Sequence, residues 1–143
     1  CREAMLFSKE ILVKEGNFVA KIFLGTSFNE VVALAKTIFK EVTFDKIYST
    51  AYHRTLETAA PTAEDHQINV EDYDPRNLYS PNFKKATQGK TVLVVGHSNT
   101  TPYLANKISG VQNYAHIDER IHGNLYIIQC IGDTVTTQLL SLE

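Results

Sequence analysis

A histidine and an arginine stand out by what precedes and follows each of them. His97 comes directly after Thr91, Val92, Leu93, Val94 and Val95, a run short enough for a strand buried on both faces, and after Gly96, which breaks that run. Ser98, Asn99, Thr100 and Thr101 follow. Pro102 then stands where the first turn of a helix would accept it, ahead of Tyr103, Leu104, Ala105, Ile108 and a closing Gly110. This places His97 in a strand-to-helix crevice. In open α/β sheets ligands bind at the carboxyl ends of strands, and the unpaired N–H groups of the next helix attract an anion. The competing reading of His97 is a buried histidine that closes a loop. Arg54 lies a few residues beyond another predicted strand, and shares the sheet end with His97 if the two strands are parallel neighbours. A guanidinium there can grip a phosphate through two parallel N–H bonds, as a lysine cannot. Its other use is a surface pair with Glu57 at helical spacing, worth a few tenths of a kcal/mol.

The elements that must position these groups follow in order. Residues 10–24 alternate as two short strands around Glu15, Gly16 and Asn17, a hairpin by the simplest local reading. Ser27 and Glu30 form a capping box, and Val31, Leu34 or Ala35, Ile38 and Val42 keep helical spacing. Thr43 to Thr50 reads as a strand whose polar end is Ser49 and Thr50. Thr55 to Glu64 reads as a helix, with Pro61 expected near its start or at a kink. A short strand is expected at Ile68 to Val70. A long loop then runs from Glu71 to Asn82, with Asp74, Arg76 and Tyr79 as candidate substrate contacts or as parts of a solvated connection. Phe83 to Thr87 spans a turn or two of helix, and Val111 to Ile121 is a polar loop. Asn124 to Cys130 and Val135 to Leu142 pair as an edge hairpin around Gly132 and Asp133.

Length and composition frame these expectations. With 143 residues, 43% hydrophobic and 21% charged, the chain suits a single domain over 1–143 with a substantial core. A net charge of −2 and a pI near 6.2 give no general attraction to nucleic acid or to an anionic membrane, so an anion site must be local. No apolar run has the ~18 residues of a membrane span. Cys1 and Cys130 make no disulfide framework, and no metal-ligand spacing is present, so no metal is expected. The chain begins with Cys rather than Met, so a segment upstream is expected to have been removed or left out. Were it a signal peptide, the protein would be exported, to a bacterial periplasm for example; the sequence leaves both a cytoplasmic and an exported location open.

The segments IYSTAYHRTLETAAPTAE and TVLVVGHSNTTPYLANKISG together resemble the histidine phosphatase superfamily, with its phosphoglycerate mutase-like fold, and within it the small SixA-like phosphohistidine phosphatases. The resemblance implies a three-layer α/β fold, a mainly parallel sheet with helices on both faces and an antiparallel strand at the edge. It implies phosphoryl chemistry carried by side chains alone, with no cofactor. It makes Arg54 and His97 the catalytic pair and Ser49, Arg54, His97 and Ser98 the phosphate-binding set. The partner it implies is a phosphorylated small molecule or a phosphoprotein. The family's first strand ends in Arg-His-Gly or Arg-His-Ala, whose histidine takes the phosphoryl group. No histidine occurs here before His53. The best match places Lys14 and Glu15 in that first motif, and a second register places Ser8 and Lys9 there. A carboxylate beside a dianionic phosphate adds repulsion, so the nucleophile's role does not pass to Glu15. His53, His116 and His122 read as structural. Three accounts follow: a degenerate protein that binds phosphate without turnover, an enzyme with a relocated nucleophile, or a first element altered relative to a functional relative.

Overall fold

The computed structural model describes residues 43–77, 79–121 and 123–141. The expected hairpin in 10–24, the helix capped by Ser27, the first-motif positions Ser8, Lys9, Lys14 and Glu15, and His122 all lie outside them. The described elements run β1 (Lys46–Ser49), α1 (His53–His66), β2 (Val70–Asp72), α2 (Pro81–Thr87), β3 (Val92–Val95), α3 (Thr100–Ser109), β4 (Asn124–Ile131) and β5 (Thr134–Ser141).

β1 pairs in parallel with β2 on one side, Ile47 opposite Val70, and with β3 on the other, Ile47 opposite Leu93. The sheet order is therefore β2-β1-β3, and β4 and β5 form an antiparallel pair. Two buried clusters show how these pieces are layered. Ile47, Leu93, Val95, Leu125 and Ile127 pack with Ala59 and Ala63 of α1. Their alternate neighbours Tyr48, Val92, Val94, Tyr126 and Ile128 pack with Leu104, Ala105 and Ile108 of α3, and Phe83 of α2 joins them. A period of two thus sends each strand's side chains into two different layers. The fold is a three-layer α/β arrangement with helices on both faces and an antiparallel pair at the edge.

Local chemistry accounts for the element ends. α1 closes on Gln67 in the left-handed conformation, whose N–H reaches the carbonyls of Ala63 and Glu64. It runs through Pro61, so the proline does not lie near the helix start, the first of the two places expected for it. The short strand lies at Val70–Asp72, two residues later than read from sequence. α2 starts at Pro81, earlier than expected, because the Ser80 hydroxyl accepts from the Phe83 N–H and proline suits the first helical position. The hairpin turns at Gly132 with φ +57, a left-handed first turn residue that suits the twist of the flanking strands.

Candidate functional site

The parallel pairing of β1 with β3 brings the residues after both strands to one edge of the sheet. His97 follows β3 and is 9% exposed. Its Nδ1 lies 3.1 Å from Nη2 of Arg54, and its Nε2 lies 2.9 Å from Oγ1 of Thr50. A guanidinium only donates, so Nδ1 accepts and Nε2 carries the proton, donating to Thr50. Thr50 can then donate onward to Thr55 Oγ1 at 2.9 Å, and the Thr55 hydroxyl donates to the backbone carbonyl of Thr50 or Tyr52. This chain of bonds holds the imidazole in one tautomer and one orientation, with Nδ1 toward Arg54. Tyr52 supports both groups: its ring meets the His97 ring edge-on at 4.9 Å, and the Arg54 guanidinium lies 5.1 Å from its centre.

Gly96 permits this close turn. A Cβ there would stand 2.6 Å from the Tyr73 hydroxyl oxygen, 2.8 Å from Thr101 Oγ1 and 3.0 Å from Thr100 Oγ1. Thr100 accepts from the backbone N–H of His97 at 2.9 Å, which ties the histidine to the first turn of α3. Burial pushes the Tyr73 phenol up to about 12, with the Thr100 hydroxyl partly opposing the shift.

An open cleft of about 400 Å³ lies in front of these residues. It is lined by Arg54, Tyr52, His97, Ser98, Arg76 and His116, with Pro75, Asn99, Thr100 and Glu119 completing the wall. Two guanidiniums and two imidazoles against one carboxylate make its lining suited to an anion.

The residues singled out in the sequence are placed as follows. Arg54, His97 and Ser98 meet at the cleft. Ser49 does not: it is fully buried and its hydroxyl donates to the Thr50 carbonyl at 3.0 Å. Successive strand residues face opposite ways, and it is Thr50 that turns to His97. Thr50 went unmarked in the sequence because its partner lies 47 positions away. The alternative use of Arg54, a surface pair with Glu57, is not what the structure has; Glu57 pairs with His53 at 3.1 Å. The long loop divides, sending Arg76 to this cleft and Asp74 and Tyr79 to a second one of about 260 Å³ lined by Tyr48, Tyr73 and Phe83. His66 meets Phe44 edge-on. His116, read as structural, lines the same cleft as His97, 3.3 Å from the Ser98 hydroxyl. Among the described residues no group of three or more His, Cys, Asp or Glu side chains could hold a metal ion, and no helix is long and apolar enough to cross a membrane.

Comparison with solved structures places this fold. The chain is similar to a phosphoglycerate mutase of Plasmodium falciparum, with a TM-score of 0.59 and 15% identity, covering 86% of this chain and 89% of that one. An Escherichia coli protein assigned as an alpha-ribazole-5'-P phosphatase gives 0.61 and 12%, covering 91% and 97%. An Agrobacterium tumefaciens protein assigned as the phosphohistidine phosphatase SixA gives 0.56 and 12%, covering 92% and 100%. These likenesses show the phosphoglycerate mutase-like fold expected from the two sequence segments. No family model matches the chain. Among curated proteins, a stretch of 40 residues is 78% identical to Ribosomal RNA large subunit methyltransferase E of Pelagibacter ubique, spanning 28% of this chain and 20% of that protein.

Proposed function

We propose that this protein binds the phosphoryl group of a phosphorylated small molecule or phosphoprotein between Arg54 and His97, with hydrolysis impaired for want of the family's nucleophilic histidine. The observation that carries this reading is the 3.1 Å approach of the Arg54 guanidinium to His97 Nδ1 at the wall of an open cleft. An entering phosphoryl oxygen can take over the guanidinium's N–H bonds, leaving His97 beside it on a ring already fixed by Thr50. Ser98 adds a hydroxyl to the same wall, and Arg76 adds positive charge.

A match over one fifth of the methyltransferase supports no methyl-transfer activity here.

Calorimetric titration with inorganic phosphate tests the binding, and release of an aryl alcohol from its phosphate ester tests turnover. Expected are phosphate binding that Arg54→Ala abolishes and turnover at background. Turnover in the unmodified protein, lost on both His97→Ala and Arg54→Ala, would favour a relocated nucleophile. Absence of phosphate binding in the unmodified protein would overturn the proposal.

A further inference from the structure

His116 lies in the stretch that reads in sequence as a polar connection, yet that stretch is fastened to the cleft at three points. The buried Asn106 side chain of α3 donates to the Tyr114 carbonyl at 2.7 Å and accepts from the Tyr114 N–H at 3.0 Å. Three residues beyond Tyr114 the chain is caught again, where the Ile117 N–H donates to the Ser98 carbonyl at 3.1 Å. Between these anchors the imidazole is exposed, lines the cleft with Arg54 and His97, and has its Nε2 3.3 Å from the Ser98 hydroxyl. A solvated connection needs neither a buried amide matched to both backbone groups of Tyr114 nor a histidine held against the residue that follows His97.

We propose that His116 is a further ligand of the anion, facing the phosphoryl group across Ser98 and completing the set begun by Arg54 and His97; this rests on the phosphoryl-binding reading above. The 3.3 Å contact with Ser98 is long for a hydrogen bond, and an anion oxygen beside Ser98 offers Nε2–H a stronger acceptor than the neutral hydroxyl. Ser98, released from that contact, can turn its own O–H to the same anion. Glu119, in the same wall, is the opposing charge.

Phosphate titration of the full chain by calorimetry, followed also through the imidazole nitrogen resonances, tests this. One charge-assisted hydrogen bond corresponds to about a tenfold change in dissociation constant. His116→Ala is therefore expected to weaken phosphate roughly tenfold, and His116→Gln, which keeps an N–H donor, to recover most of that loss. The His116 nitrogen resonance should move on phosphate addition in the unmodified protein and stay still in Arg54→Ala. The inference is overturned if Arg54→Ala abolishes binding while His116→Ala leaves it at the unmodified level, or if Gln fails to restore what Ala removes. Absence of binding in the unmodified protein overturns both this inference and the reading beneath it.

Discussion

β3 of the parallel sheet and β5 of the edge hairpin use their side chains in opposite ways. All four residues of β3 are buried, at 1–2% exposure, because α1 and α3 cover its two faces. β5 instead alternates between exposed and half-buried positions. A strand buried on both faces spends every side chain on packing, so its chemistry must stand just past its end, where His97 is found. β5 has a wet face free for polar groups, and none of the cleft's lining comes from the hairpin. The site is therefore as rigid as the packing behind it, to which β4 adds Leu125 and Ile127 on one face and Tyr126 and Ile128 on the other.

Truncation should separate the two regions most strongly. Leu93, 2% exposed in β3, is expected to cost about 2–5 kcal/mol as Leu93→Ala, whereas Leu139, 40% exposed in β5, should cost under about 1 kcal/mol as Leu139→Ala. Urea denaturation of the two variants measures this, and equal losses would break the comparison.

The next effect comes from the phenol behind the Gly96 turn. Tyr73 is 8% exposed and its phenol is pushed up to about 12 from an ordinary 10.0. The folded state thus holds the phenolic proton more tightly than the unfolded chain. The stability this gives is fully present below about pH 10 and is lost as pH rises through about 12, a total of roughly 2–3 kcal/mol. Denaturation between pH 9 and 12 should show the fall in the unmodified protein and a shallower one in Tyr73→Phe; identical slopes would mean that burial here does not hold the proton.

A smaller cost attaches to Gly96→Ala, roughly 1–2 kcal/mol, because the new methyl meets side-chain oxygens that can shift slightly. Removing the nearest one should recover part of the loss, so Tyr73→Phe combined with Gly96→Ala is expected to be less destabilised than the sum of the single changes. Strict additivity in thermal melts would show that the hydroxyl is not what requires glycine. At Gly132 the requirement differs: open space surrounds it, and only its φ of +57 disfavours a side chain.

Much of this was legible in the sequence wherever the signal was local. The apolar run ending at Gly96 is β3, the turn residues Gly132 and Asp133 make the hairpin, and the order of elements after Thr43 follows the resemblance. Arg54 and His97 could be paired because each stands just beyond a strand, and parallel neighbours share their carboxyl ends. Contacts fixed by packing left no such trace. Nothing beside Thr50 announces that it orients His97, and strand alternation turns Ser49, the more familiar phosphate-binding type, into the interior. The 111–121 stretch has the composition of a free loop, but the buried amide of Asn106, several residues upstream, holds it against the cleft. A sequence shows which residues could bond, and only the fold shows that Asn106 and Tyr114 meet.

At the rim of the cleft the comparison reduces to a pair whose electrostatics are local. Asp118 accepts from the Arg120 guanidinium at Oδ1 and Oδ2, 3.0 and 2.6 Å, and from the Arg120 backbone N–H at 2.9 Å. Those bonds to Arg120 favour the charged form and lower its carboxyl from 3.8 to about 2, with His116 adding a smaller push in the same direction. The folded value lies below the unfolded one, so whatever stability the pair gives is present above about pH 3.8 and lost as pH falls through about 2. Both side chains are in solvent, and salt screens such pairs, so the expected effect on the denaturation midpoint is the smallest of the series. The carboxyl carbon resonance is the better probe. Its midpoint should lie near 2 and return toward the ordinary carboxylate range in Arg120→Ala, while the fall in stability above pH 10 assigned to Tyr73 stays unchanged, because that group is sealed behind Gly96 and this one is not. A midpoint that Arg120→Ala leaves in place would mean that the turn's backbone alone holds the carboxylate, and that this rim is shaped by the chain rather than by its charges.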